Sequence, residues 1–418
     1  MHPFAAVFLA ALAAATAVKL WLAARHARHV AAHRDAVPAA FAAAIPLDSH
    51  RKAADYTVAK TRLGVAWTLA EVALLLALTL GGGLQALDAV SARIADPGLL
   101  RGLALIALVA AVFFVVELPF GIFRTFVVEQ RFGFNRMTPK LFVLDTAKGV
   151  VLAGALGLPL AALVLWLMGR MGEFWWLYAW AAWVAFNLFL LAVFPTWIAP
   201  LFNKFSPLAD AELKARVERL LERCGFRAQS LMVMDGSKRS AHGNAYFTGF
   251  GRTKRIVFFD TLLERLTGPE VEAVLAHELG HFKLHHVIKR IAWAFAASAG
   301  FLWLLGVLAQ APWFYHALGV TTPSTAMALV LFFIVVPVFT FLAHPLTSHY
   351  SRQHEFEADA YAAEHAAAGE LVTALVKLYK DNASTLTPDP LHSAFYDSHP
   401  PAALRIARLR AATGGADA

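Results

Sequence analysis

Cysteine is almost absent from this chain and charge is scarce. One thiol, Cys224, stands among 418 residues, which excludes an internal disulfide framework. Only 16% of residues are charged against 59% hydrophobic, the opposite of the low hydrophobicity and high net charge that keep a chain disordered. The 26 glycines follow no three-residue period, which excludes a collagen-like fibre. There is no internal repeat and no low-complexity tract. What the chain has in abundance is apolar side chain, with a mean hydropathy of +0.56, and that is the composition of a membrane protein. A formal net charge of +8 would suit nucleic-acid binding in a soluble protein. In a membrane chain, basic loops facing anionic lipid account for it, so the expected partner is the lipid bilayer and no nucleic acid.

Seven apolar runs are long enough to cross a hydrocarbon core of roughly 30 Å. They cover residues 4–24, 64–87, 103–123, 149–168, 174–199, 291–308 and 326–342. The first run has no basic flank before it and no small-residue cleavage site after it, so it reads as a retained span. Orientation follows from Lys and Arg in the short connections. Arg25, Arg28, Arg34, Arg51, Lys52, Lys60 and Arg62 follow the first run, and Arg124, Arg131, Arg136, Lys140 and Lys148 follow the third. The second and fourth connections hold only Arg93 and Arg101, then Arg170. The N-terminus is therefore expected outside, with residues 200–290 and everything after 343 on the cytoplasmic side. This divides the chain into a membrane domain (1–199), a polar segment (200–290), two more spans (291–345) and a second polar segment (346–418).

The polar segments read as globular. Residues 209–224 form an amphipathic helix with Leu213, Val217, Leu220 and Leu221 on one face. Strands are expected at 230–234, 245–250 and 255–259, with turns at Gly236-Ser237 and Gly251-Arg252 making a small antiparallel sheet. The alanine-rich stretch 31–44 reads as a helix within a loop. Lys19 and Glu71 lie inside spans, where an ionisable group pairs with another or faces water, and Glu117 raises the same question. Trp175, Trp176, Trp180 and Trp183 read as interfacial anchors or packing. Cys224, beside Gly225, reads as a core or capping thiol.

The chemistry lies in the helix opened by Gly268-Pro269-Glu270, which reaches the sequence AHELGH. His277 and His281 are four apart and share a helical face, so one zinc ion can be held between successive turns. Glu278 then lies beside the ion, placed to take a proton from the attacking water and pass it to the leaving amine. A catalytic zinc keeps three protein ligands and one open position. The long metzincin motif cannot supply the third, because Leu284 and Val287 stand where it needs Gly and His. His285 drifts around the helix axis away from the other two. In SRQHEFEAD, Glu355 and Asp359 share a face while Glu357 points about 200° away. One of the first two carboxylates can bind the metal while the other orients a ligand histidine through its free ring N–H.

Beyond these residues, the chain resembles the type-I CAAX prenyl endopeptidases, a family of integral-membrane zinc proteases. The resemblance is carried by EQRFGFN from Glu129, FPTWIAPLFNKFSPL from Phe194, MDGSKRSAHGNAYFTGF from Met234, KRIVFFDTLL from Lys254, HELGH from His277, SRQHEFEAD from Ser351 and SHPP from Ser398, with Arg405 downstream. It implies a mainly α fold: seven membrane helices around a large chamber, roofed by a zincin-like metalloprotease domain with a small sheet. It implies Glu355 as third ligand to one Zn2+, Asp359 behind a ligand histidine, Asn244, Ala245 and Tyr246 along the substrate backbone, and His399 and Arg405 near the substrate or its oxyanion. The implied substrate is an extended peptide or protein, prenylated at its C-terminus or membrane-associated. The implied location is a bacterial inner membrane or an endoplasmic reticulum. The alternative is a general quality-control protease acting on unprenylated membrane proteins. That family shares HExxH and a later glutamate, but its members are shorter with fewer spans.

Overall fold

No water reaches backbone groups inside a bilayer, so apolar spanning runs fold as helices that satisfy their own N–H and C=O groups. The computed structural model describes residues 2–226, 229–248 and 255–414. Seven of its helices are long and apolar enough to cross a membrane. The chain opens with α1 (Pro3–Ala32), α2 (Leu47–Leu78), the short α3 (Gly83–Ile94), α4 (Leu99–Phe123), α5 (Pro139–Arg170), α6 (Trp175–Val193) and a single turn α7 (Ala199–Phe202). α4 and α6 both run on into π-helical turns, Arg124–Glu129 and Phe194–Ile198. Pro119 lies inside α4 shortly before the first, and Pro195 lies within the second, where a missing N–H breaks the regular ladder.

The polar domain comes next: β1 (Phe205–Pro207), α8 (Ala211–Arg223), β2 (Ser230–Met234), β3 (Ala245–Thr248), β4 (Arg255–Phe259), α9 (Asp260–Leu263) and α10 (Gly268–Lys283). The chain then returns to the membrane as α11 (His286–Ala309), α12 (Pro312–Ala317) and α13 (Thr325–Thr340). It leaves again as α14 (His344–His365), α15 (Ala368–Asp381), α16 (Pro390–Tyr396) and α17 (Ala402–Gly414).

The spans pack in a ring: α1 on α2, α2 on α4, α4 on α5, α5 on α6, α6 on α11, α11 on α13, and α13 back on α1. α13 also packs on α4 and α5 and is the most buried span, whereas the other spans keep long faces without protein cover. Exposed apolar side chains such as Val115, Val151, Trp166 and Phe189 are what such faces present. At one end the ring is plugged by a core that includes Phe8, Leu84, Leu105, Phe314 and Phe332. Lys19 and Glu71 pair across α1 and α2 at 3.8 Å. The Trp180 indole donates to the Phe295 carbonyl at 2.9 Å, fastening α6 to α11. Trp180 therefore packs helices.

Three expectations need correction. The second span ends at Leu78, because the chain turns through Thr79–Gly82 before α3 begins; residues 83–87 belong to another helix. Residues 33–45 are turns, not a loop helix, since α1 itself runs on to Ala32 and Pro38 interrupts any continuation beyond it. The sheet is mixed, not antiparallel. Its order is β1-β2-β4-β3, with β2 parallel to β4 (Met232 opposite Val257) and β3 antiparallel to β4 (Tyr246 opposite Val257). β1, absent from the expected strands, adds antiparallel to β2. Gly249, Phe250 and the Gly251-Arg252 turn lie outside the described residues.

The two polar segments share one core, in which Leu220, Ile256, Phe258, Leu275 and Leu279 are buried with Leu371 and Leu409. α10 begins at a capping box, in which Thr267 and Glu270 satisfy each other's backbone N–H groups. Buried Glu270 also accepts from Lys377 Nζ of α15 at 2.7 Å. Gly280 sets the spacing between α10 and α14: a Cβ there would lie 3.0 Å from Ala358 Cα and 3.1 Å from Tyr361 Cβ. Replacing Gly280 with Ala should force the two helices apart and cost about 1–3 kcal/mol of stability. A thermal melt in detergent should register that loss together with weaker metal binding; an unchanged melt would mean that the helices yield freely.

Candidate metal centre and active site

α10 carries His277 and His281 one turn apart, and α14 crosses it with Glu355 and Asp359 one turn apart on the facing side. The His277 Nε2 atom is 3.5 Å from Glu355 Oε2, and the His281 Nε2 atom is 3.2 Å from Glu355 Oε1. The ligand atoms of these three residues all lie within 4.8 Å of one another. Glu355 is 2% exposed, and its Oε2 has no hydrogen-bond partner. Such a buried oxygen is costly unless something completes it, and a cation drawn to both imidazoles and this carboxylate does so. The donor set therefore fits a metal ion. His285, by contrast, sits in the left-handed region at φ 59° as the N-cap of α11, outside the triad.

The second carboxylate, Asp359, lies behind the first histidine, with Oδ1 2.9 Å from His277 Nδ1. Arg405 of α17 grips Asp359 with two donors, Nε reaching Oδ2 at 2.8 Å and Nη2 reaching Oδ1. Arg405 is 5% exposed, and its Nη1 approaches Glu355 Oε2 at 3.8 Å. It lies beneath the triad, not over it. His399 occupies the open side, with its Nε2 3.5 Å from Glu355 Oε1 and its side chain 61% exposed. Burial works against a proton on His277, but the neighbouring Asp359 and Glu355 carboxylates outweigh it and lift the imidazole to about 9. Burial raises the Glu278 carboxyl above the usual carboxylate range.

Among the described residues, β3 is the outer strand of the sheet and pairs with β4 alone, and it packs against α10. Asn244 is exposed just before it and Ala245 and Tyr246 are half-buried within it. The segment leading into this strand is bound to the membrane domain by groups that sequence reasoning missed. Ala241 N donates to the Phe134 carbonyl at 3.1 Å and Arg136 N to the Arg239 carbonyl at 3.1 Å. His242 stacks on Phe134 at 4.4 Å, and its Nε2 is 3.6 Å from Glu129, which accepts from the Tyr56 hydroxyl at 2.6 Å. The motifs from Glu129 and Met234 were the available signal, but nothing in either one named the other. His286, which sequence reasoning did not name, lies against His281, and Glu357 Oε2 lies 2.8 Å from its Nε2.

Two histidines and a glutamate, with a second glutamate beside them and an open strand edge alongside, define a membrane-embedded metalloendopeptidase. Comparison with known proteins makes this particular. The chain belongs to the CAAX prenyl protease family: residues 26–204 match the family described as CAAX prenyl protease N-terminal, five membrane helices, and residues 207–413 match Peptidase family M48. It is 38% identical over 306 residues to a CAAX prenyl protease 1 homolog of Arabidopsis thaliana, covering 72% of this chain and 70% of that one. It is 35% identical over 326 residues to CAAX prenyl protease 1 of Saccharomyces cerevisiae, covering 74% and 72%. The crystal structure of S. mikatae Ste24p superposes with a TM-score of 0.90 at 29% identity, covering 98% of this chain and 99% of that one. The chain is thus a multi-span membrane metalloprotease of the CAAX prenyl protease type, acting on a peptide or protein substrate.

The geometry makes two outcomes measurable. Truncating Asp359 or Arg405 to Ala should each lower metal affinity by roughly 10- to 100-fold, and the double variant should lose much less than the sum, because the two side chains act as one unit. Full additivity in a chelator competition would separate them. Second, the metal-free His277 ring holds its proton up to about 9, so the metal must displace it. Affinity should climb roughly tenfold per unit between about pH 7 and that value, then level; a flat profile would mean that the ring is already neutral.

Proposed function

We propose that this protein is a zinc endopeptidase that holds one zinc ion per chain through His277, His281 and Glu355 and cleaves extended C-terminal segments of prenylated peptides. The convergence of those three ligand atoms within 4.8 Å, beside an edge strand, carries the reading. Two imidazoles and one carboxylate are the ligand set of a catalytic zinc with an open position. Zinc held there supplies Lewis acidity toward a water and a peptide carbonyl. Glu278 receives the proton of the attacking water and delivers it to the leaving amine, and burial, by raising its carboxyl, favours its holding that proton in between. His399, on the open side, is placed to donate toward the oxygen that gains charge. Arg405 acts through Asp359, fixing the His277 ring so that its Nε2 faces the metal.

The β3 edge gives an extended peptide its main-chain partners, with Asn244, Ala245 and Tyr246 alongside. Backbone pairing selects little by sequence, so selectivity falls to the groups beyond the scissile bond. The uncovered inner faces of the helix ring suit an isoprenoid, and relatives such as that of Saccharomyces cerevisiae carry the name CAAX prenyl protease 1. Orientation follows the basic connections: N-terminus outside, protease domain and C-terminus in the cytoplasm.

Replacing Glu278 with Gln should abolish cleavage of a farnesylated C-a-a-X reporter while metal content stays at about one zinc. Full activity, or loss of the metal, would remove Glu278 from the role of base. Efficient cutting of unprenylated membrane proteins with the farnesylated reporter left intact would transfer the assignment to quality control. Reporter fusions at Met1 and Ala418 should land on opposite sides of the membrane, and a same-side result would contradict the orientation.

A further inference from the structure

Two groups of metal-ligand type occur among the described residues: the triad, and a second made of His286, His354 and Glu357. The second group touches the first, because His286 Nδ1 lies 3.0 Å from His281 Nδ1. On its other side, His286 Nε2 lies 2.8 Å from Glu357 Oε2. The His286 side chain is 1% exposed and that of Glu357 53% exposed, so the line of contacts runs from the buried ligand out to solvent.

The hydrogens along this line are set by chemistry. An ionised carboxylate only accepts, so His286 Nε2 carries its hydrogen toward Glu357. A neutral imidazole has one donor and one acceptor nitrogen, which leaves His286 Nδ1 as an acceptor. At 3.0 Å one of the two facing nitrogens must donate, so His281 Nδ1 carries the hydrogen. His281 Nε2 is then left with a free lone pair, on the side facing Glu355. The His286 ring is held in this plane by stacking on His354, at 4.0 Å and 6°, and His354 is in turn flanked by Tyr350 at 4.2 Å. The turn that brings His286 back onto His281 passes through His285 at φ 59°, a conformation a residue with a Cβ adopts only at some cost.

We propose that Glu357 and His286 are positioning residues that fix the tautomer and ring plane of His281, as Asp359 and Arg405 do for His277. The proposal rests on the reading of His281 as a metal ligand. It also reassigns the second cluster: while His281 binds metal, His286 Nε2 carries a hydrogen and has no lone pair for a second ion.

The test is zinc affinity by chelator competition, without substrate, together with the visible spectrum of the Co2+ form. His286→Leu should weaken zinc binding by roughly 10- to 100-fold and change the Co2+ spectrum. His286→Asn, whose side-chain oxygen can accept from His281 Nδ1, should recover affinity to within a few fold of the unaltered protein. Glu357→Ala should show a smaller loss than His286→Leu, and stoichiometry should stay at one metal throughout. Equal affinity in the Leu variant and the unaltered protein, or equal loss in the Leu and Asn variants, would overturn the proposal. So would a second bound metal that disappears in Glu357→Ala. His281→Ala separates the two readings: if it leaves zinc binding intact, the triad itself is wrong, and if it abolishes binding while the His286 variants do not matter, only this inference fails.

Discussion

Gly280 has no side chain where α14 crosses α10, and the backbones meet so closely that a Cβ would sit 3.0 Å from Ala358 Cα. That contact brings a carboxylate from one helix to two imidazoles of the other. Imidazole and carboxylate side chains are short, and metal ligands must agree in position to within fractions of an ångström. A side chain at 280 would push the helices apart there and pull Glu355 away from the two imidazoles. The capping box at Thr267, the pair between Lys377 and Glu270, and the two arginines of α8 on Glu272 all hold α10 where this contact requires it.

Burying so many charges beside one another has a cost that the arrangement offsets by pairing. Glu355 and Asp359 are 2% and 3% exposed, and among the described residues Arg405 is the permanent cation that reaches both. Without metal a proton on His277 supplies the second positive charge, and a bound metal would take its place. Each ligand histidine is steadied from behind by a different device. His277 meets a buried carboxylate locked by a guanidinium, whereas His281 meets a second imidazole that leads out to solvent. The edge strand beside them is fixed independently, through its approach segment, to the loop after α4. The membrane ring is thereby tied directly to the strand proposed to hold the peptide.

Much of this was legible because it is periodic. A histidine pair four apart, and Glu355 and Asp359 four apart, state their shared faces in the sequence itself. Seven apolar runs state their spans by length and composition. The features that were not legible depend on partners far along the chain. The parallel pairing of β2 with β4 cannot be inferred from local turn residues, which suggest successive hairpins. β1 is three residues ending at Pro207, too short to register as a strand. Hydropathy overran the end of α2 because the residues that break it, Thr79–Gly82, are not charged. Glu357 points away from Glu355, as its spacing requires, yet it serves the same centre through His286, which is 71 positions distant. Arg405 alone reads as an ion-pair partner and only the family resemblance implies a substrate role; that its carboxylate is Asp359 emerges once α17 packs on α14.

The proposed function requires one metal between α10 and α14, held by two histidines and one glutamate. X-ray absorption at the zinc edge on the purified protein tests this most directly. The expected spectrum is that of one zinc per chain with two imidazole nitrogens at about 2.0–2.1 Å and the rest of the shell oxygen, with no sulfur. Three imidazole signals, which would bring His285 or His399 into the shell, or a sulfur signal from Cys224, would contradict it.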